Sequence, residues 1–281
     1  MPTVAVVTDS TACLTDELRE RSGVRVVPIH VLVDGQTYLD GVDITSEEVA
    51  SALSRLASVS TSKPSPHQFL DAYSAAAHAG AESILSVHLS SALSGTYDAA
   101  RLAARDAPVP VEVVDSRSIA MGLGFAALNA AHAVDAGAGL ADAADVARRS
   151  AADSQVLFYV DTLEFLRRGG RIGKASAWLG SALRVKPLLH VVDGEVAPLE
   201  KARTANRALG RLAELAVAAA DGRDVQVAVQ HLQAPQRAQE MADRLRAQLH
   251  TDVVVCEVGA VMGVHVGPGL VAVAVAPAGS P

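Results

Sequence analysis

Short β-branched runs, each closed by a polar turn and followed by an alanine-rich stretch, repeat through the first half of this chain. They restrict it to an alternating βα architecture. Val4-Ala5-Val6-Val7 stops at Thr8-Asp9-Ser10-Thr11, and Thr15-Asp16-Glu17-Leu18 then opens a helix with acids in its first turn. Residues 24–33 read as a second strand. The next helix begins at Thr45-Ser46-Glu47-Glu48, where Thr45 and Glu48 have the spacing of a capping box. Residues 83–88 and 111–114 read as further short buried strands, each followed by a turn and a helix. Such alternation predicts a largely parallel, Rossmann-like sheet with flanking helices.

The second half has a different grammar. A strand over residues 155–160 leads to a Gly/Arg-rich turn at 167–174. Two strand-like pieces, 188–192 and 195–199, then flank Asp193-Gly194, a strong hairpin signal. A helix over 203–220, a strand over 225–230, a helix over 235–249 and strands over 253–258 and 270–275 complete the pattern. Adjacent hairpin strands predict a mixed or antiparallel α+β unit. The chain therefore divides into an N-terminal α/β domain, residues 1–152, and a C-terminal α+β domain, residues 153–281. A length of 281 residues accommodates two such domains.

Half of the residues are hydrophobic but only 3% are aromatic, so the core must be built from Ala, Val and Leu. The net charge of −7 argues against nucleic acid as a partner. Two cysteines, Cys13 and Cys256, are too few for a disulfide framework or a Cys-rich zinc site, and they read as reduced, buried thiols. The first residues resemble a strand rather than a signal peptide, and no apolar run is long enough to span a bilayer, so a cytoplasmic location is expected.

Several motifs can be set aside. Gly122-Leu123-Gly124-Phe125-Ala126-Ala127 fits a dinucleotide fingerprint in letters only. It lies too far from the preceding strand and no acid follows at the right distance, which favours a packing role. Gly170 to Lys174 lacks the first glycine and the Ser/Thr of a phosphate loop. Nine histidines form no metal-ligand cluster, so no metal or cofactor is expected. Ser94 lacks the flanking glycine of a nucleophile elbow, although a serine site built with His265 and Asp9 stays open.

Three hydroxyl-rich segments follow strands: Thr8-Asp9-Ser10-Thr11, Thr61-Ser62-Lys63-Pro64-Ser65, and Ser90-Ser91-Ala92-Leu93-Ser94-Gly95-Thr96. Loops at the carboxyl ends of parallel strands form ligand crevices, and a helix after Gly95 would aim free N–H groups there. The Ser94 hydroxyl, the Gly95 amide and Thr61 then make a site for a small anion such as a carboxylate. Plain N-capping by Ser94 explains the same spacing, and spacing alone leaves both readings open.

Those segments, with Val114-Asp115-Ser116, Thr162-Leu163-Glu164-Phe165-Leu166-Arg167-Arg168-Gly169-Gly170-Arg171-Ile172, Lys186-Pro187 and Gly263-Val264-His265-Val266-Gly267-Pro268-Gly269, resemble the DegV family in order over essentially the whole chain. The resemblance implies a two-domain protein that buries a fatty acid in an apolar tunnel between its domains and serves as the binding subunit of a bacterial fatty acid kinase. It implies Thr61 and Ser94 as principal carboxylate ligands, with the Ser62 hydroxyl and the Gly95 amide beside them. His265, in a Gly-rich turn, would be the donor approaching from the other side. Burying about fifteen methylenes is worth on the order of 10 kcal/mol before ordering costs. Ile84, Ile119, Met121, Phe158, Leu163, Leu166 and Met262 lie near the motifs, each singly reading as ordinary core.

Arg167, Arg168, Arg171, Lys174, Arg184, Lys186, Lys201, Arg203, Arg207 and Arg211 concentrate positive charge in one span of an acidic protein. Of these, Arg171 and Arg203 fall in family motifs and are expected to dock the kinase or anionic head groups. The reading is a lipid-binding subunit rather than an enzyme, which presents a long-chain fatty acid to an ATP-dependent kinase and touches the membrane surface transiently. The rival readings are a hydrolase or acyl transferase using Ser94, and a binder of another small anion.

Overall fold

The computed structural model describes residues 3–55, 57–179 and 185–279. Strands β1 (Val4–Asp9), β2 (Arg25–Val27), β6 (Ser83–His88) and β7 (Val111–Asp115) form a parallel sheet in the order β2-β1-β6-β7. Helices α1 (Asp16–Ser22), α3 (Pro66–His78), α4 (Thr96–Ala103), α5 (Met121–Asp135) and α6 (Leu140–Asp153) connect or follow its strands. Every residue of β6 is buried, because the strand is covered on both faces. Ile84 packs with Phe69, Tyr73, Ala99 and Ala100 of α3 and α4. Leu85 and Val87 pack the other way, with Leu123, Ala126, Ala144 and Ala147 of α5 and α6.

The expected strand over 24–33 is in fact two strands in two sheets. Pro28 supplies no N–H for a ladder, and the chain leaves the parallel sheet there. It then forms β3 (His30–Val33), which with β4 (Gln36–Leu39) and β5 (Val59–Ser62) makes a small antiparallel sheet in the order β4-β3-β5. Between β4 and β5 lies α2 (Ser46–Ser54), which starts with the predicted Thr45–Glu48 capping box. Thr61 and Ser62 are therefore residues of an antiparallel strand, not of a turn after a parallel one.

The second half forms a mixed six-stranded sheet in the order β10-β9-β8-β13-β11-β12. Its strands are β8 (Gln155–Tyr159), β9 (Lys186–Val192), β10 (Glu195–Ala202), β11 (Val225–His231), β12 (Val253–Glu257) and β13 (Val271–Pro277). Its helices are α7 (Glu164–Arg168), α8 (Ala205–Ala220), α9 (Pro235–Leu249) and α10 (Ala260–Val266). Asp193 and Gly194 both take positive φ, 54° and 83°, and close the β9–β10 hairpin as their sequence predicts. The segment expected as one turn over 167–174 instead ends α7 and begins a 3₁₀ turn, Gly173–Trp178. No described helix is long and apolar enough to cross a membrane.

Helix α5 joins the halves. It is apolar nearly all round because it lies between layers. Met121 and Phe125 face the mixed sheet, whereas Leu123, Ala126 and Ala130 face the parallel one. The rejected dinucleotide motif sits inside this helix, where a side chain on Gly124 would crowd the Ala12 carbonyl. The proposed division after residue 152 falls in the last turn of α6. The two parts remain stitched together: the Ser46 hydroxyl donates to the Val258 carbonyl (2.6 Å), and the Ala260 N–H donates to Asp40 (2.7 Å).

The end of β1 carries a carboxylate shut off from water. Asp9 accepts from the Thr11 N–H (3.1 Å) and hydroxyl (2.5 Å), the Leu89 N–H (3.0 Å) and Nδ1–H of His88 (3.0 Å). His88 Nε2 meets the Ser86 hydroxyl (2.7 Å), which in turn accepts from Tyr73 (2.9 Å). Removing the acid strands several buried donors at once. Asp9→Ala is expected to lower the unfolding free energy by about 3–5 kcal/mol, measured by urea titration. A loss under about 1 kcal/mol would mean that water enters and satisfies them.

Candidate functional site

A largely apolar cavity lies between the mixed sheet, the segment leading into α5, the small antiparallel sheet and α10. It is narrow, with a volume of about 90 Å³. Its apolar wall includes Ile29, Leu89, Leu93, Ile119, Val156, Phe158, Leu166, Val191, Val196, Met262 and Leu270. Of the seven apolar residues singled out in the sequence, Ile119, Phe158, Leu166 and Met262 line it, while Ile84, Met121 and Leu163 pack as core.

Polar groups gather at one end. Thr61, Ser62, Lys63, Ser94, Arg171 and His265 all line the cavity, and no acid does so among the described residues. Thr61 Oγ1 and His265 Nε2 are 2.8 Å apart, joining β5 to α10 across 204 positions of sequence. His265 thus stands on a short helix rather than in the Gly-rich turn expected, and that turn begins two residues later. Ser94 Oγ is 2.9 Å from Thr96 Oγ1, and α4 is capped by Gly95 with no side-chain bond, so Ser94 is not the N-cap. Gly95 lies beneath the Lys63 side chain, where an added Cβ would stand 2.9 Å from Nζ.

The fit of His265 depends on Gly169. Any side chain at 169 would collide with the Nδ1 edge of the ring. That edge is buried and without a partner. An orphaned ring acceptor is better tolerated than an orphaned N–H, which favours the tautomer with Nε2–H donating to Thr61. The Thr61 hydroxyl hydrogen is then left to point into the cavity. Burial, with the Arg171 guanidinium adding to it, pulls the His265 pKa from 6.5 to about 4, so the ring is neutral at physiological pH.

Arg171 is held at the wall by two carbonyls, donating to Leu93 O (3.0 Å) and Gly169 O (2.7 Å). Arg203 is placed elsewhere, exposed at the end of β10 just before the Thr204 cap of α8. Much of the surrounding positive span is matched by acids: Arg167 and Arg168 bind Glu164, Lys174 faces Glu195, Lys186 binds Asp161, and Arg211 binds Glu200 and Glu214. Lys201 lies over the Trp178 ring at 4.6 Å. Arg184 lies outside the described residues. Half of the ten residues of the expected basic zone are therefore paired with acids at short range.

Sequence reasoning attached no role to Lys63, yet its side chain covers Gly95 at the polar end and no described acid pairs with it. Its position inside a hydroxyl segment was the available signal. The hydrolase arrangement does not form: Asp9 is committed to His88, and His265 to Thr61 rather than Ser94. Cys13 and Cys256 are buried and unbridged, as expected.

The family description "Uncharacterised protein, DegV family" matches residues 3–278. The chain belongs to the DegV family. A DegV domain-containing protein of Streptomyces coelicolor is 50% identical over 274 residues, 97% of this chain and 98% of the relative. Among solved structures, a fatty-acid-binding DegV family protein of Thermus thermophilus is 35% identical with a TM-score of 0.93, covering 98% of this chain and all of that one. DegV of Bacillus subtilis, a fatty acid binding protein, is 30% identical with a TM-score of 0.91, covering 99% and 100%. This DegV chain thus shares both fold and length with relatives that bind fatty acids.

The depressed His265 pKa has a defined sign. Between about 6.5 and about 4 the unfolded chain takes up a proton that the folded protein refuses, so stability falls as pH is lowered through that window. The full effect is on the order of 3 kcal/mol. Urea unfolding of wild type and His265→Asn at pH 7 and pH 4 is expected to show the larger acid loss in wild type. Equal losses would assign the acid sensitivity to other groups. Gly169→Ala should cost about 1–3 kcal/mol by forcing the ring out of place, read by the same titration.

Proposed function

We propose that this protein binds a long-chain fatty acid, burying the alkyl chain in the cavity and holding the carboxylate at its polar end. The observation that carries the reading is the cavity itself: apolar walls meet a cluster of hydroxyls and two cations with no acid among the described lining residues. Burial of each methylene contributes about 0.8 kcal/mol, so the walls supply affinity and the polar end supplies orientation. The fatty-acid-binding relatives support the choice of ligand.

At that end the Thr61 hydroxyl donates to one carboxylate oxygen while His265 orients Thr61 from behind. Ser94 and Ser62 offer further hydroxyls, the Gly95 amide lies beside them, and the Lys63 ammonium adds charge complementarity. A neutral His265 suits the role, because it donates without requiring a buried cation. The carboxylate is then presented to a separate ATP-dependent fatty acid kinase. One carboxylate oxygen attacks the γ-phosphorus, the bond to ADP breaks, and an acyl phosphate forms. Arg203, exposed and without a described acidic partner, is assigned to docking the kinase or an anionic membrane surface; Arg171 reaches the same end from the cavity wall.

Mass spectrometry of lipid extracted from the purified protein is expected to return a fatty acid. Thr61→Ala and Ser94→Ala should each weaken its binding about ten- to hundredfold, the value of a hydrogen bond to a charged group. With kinase and ATP, hydroxylamine trapping should detect acyl phosphate from wild type and far less from either variant. Unchanged binding and trapping in both variants would place the head group elsewhere.

A further inference from the structure

One boundary of the cavity is a row of valines. On β8, Val156 and Phe158 face the cavity, whereas Leu157 and Tyr159 face the core beneath α8 and α9. Leu157 pairs with His190 in β9, so the antiparallel register sets Val156 opposite Val191 one residue further on. Val191 pairs in turn with Val196 of β10. Three valines on adjacent strands thus stand side by side on one face, and all three line the cavity.

Val156 stands near the amino end of β8, whereas the elements that carry Arg171 and His265 adjoin the carboxyl end of that strand. Beyond the carboxyl end of β8 the chain passes through α7 to Arg171, and β13 begins just after α10 with His265. Val156 is two residues back along β8 from Phe158, about 7 Å deeper at the usual strand rise. Behind Val156 and Val191 the surroundings become more polar. Val156 and Val191 also wall a polar cleft on the other side, together with Ser116, Ser118, Ser154 and His190. Ser118 and Ser154 crowd the space beside Gly122 together with Val156. The partition is one side chain thick.

We propose that Val156, Val191 and Val196 form the length stop of the fatty-acid site, so that this row sets the longest acyl chain the protein accepts in full. The inference rests on the fatty-acid reading above and deepens it. A chain ending at the row gains affinity with every methylene. A longer one must crumple or push its end past the valines into water and serine hydroxyls, where further methylenes gain nothing. Val191 is the residue to alter, because it is only partly buried and sits in the middle of the row.

The test measures affinity of the delipidated full-length protein for straight-chain saturated acids from about 12 to about 20 carbons, where each added methylene is worth about fourfold. Wild type should rise by that factor and then break to a plateau or fall. Val191→Ala should move the break to longer acids by about two carbons, the two methyl groups removed, and Val191→Leu should move it to shorter ones. Opposite shifts from the two variants cannot come from general destabilisation. A break that stays in place in both, or affinities that drop equally at every length, would overturn the length stop while leaving the fatty-acid reading intact. If wild type binds none of these acids, the fatty-acid reading itself fails and takes the stop with it.

Discussion

The cavity's border with the parallel sheet is organised around a carboxylate buried away from water. Asp9 collects four hydrogen bonds, two from Thr11 just after β1, one from His88 at the end of β6 and one from Leu89 just after it. Thr11 and Leu89 both line the cavity, so satisfying this one buried acid sets the positions of both walls. A buried acid left unpaired is expensive, and the cost makes the arrangement specific. The chain from Tyr73 through Ser86 and His88 to Asp9 extends that constraint from α3 across β6 to β1.

A second constraint crosses between the halves. The small antiparallel sheet is inserted after β2, and its strands and α2 reach over to α10. Thr61 meets His265, Asp40 holds the Ala260 N–H, and Ser46 holds the Val258 carbonyl. One short helix therefore carries both a polar lining residue, His265, and an apolar wall residue, Met262, and is held from the other half of the molecule. The absence of a side chain at Gly169 lets His265 sit deep enough that burial lowers its pKa to about 4. Local geometry and electrostatics are here one effect, since the buried ring resists protonation.

Few aromatics suit such a molecule. A narrow channel between layers requires side chains that leave a groove, and rows of Val, Leu and Ala on twisted strands do so where large rings would fill it. The same economy makes the cavity's valine boundary depend on single methyl groups. It also explains why α5, apolar on nearly every side, serves as the common floor of both sheets.

The hydroxyl segments, the Asp193-Gly194 hairpin, the Thr45–Glu48 box and the alternation of strands with alanine-rich helices were legible in the chain because each is decided within a few residues. Turn chemistry, capping and periodicity are local. The split of residues 24–33 into two sheets was marked by Pro28, but a proline says only that a ladder is interrupted, not where the chain goes next. That Thr61 lies on an antiparallel strand facing His265, that Ser94 lines the cavity instead of capping α4, and that Lys63 covers Gly95 were decided by tertiary structure. So was the pairing of Arg167, Arg168, Lys186 and Arg211 with acids that linear counting could not place beside them. The cavity belongs wholly to this second class. It is the gap between side-chain faces drawn from residues as far apart as Thr11 and Ala272, and its emptiness depends on how those faces approach, a distance that no local rule encodes.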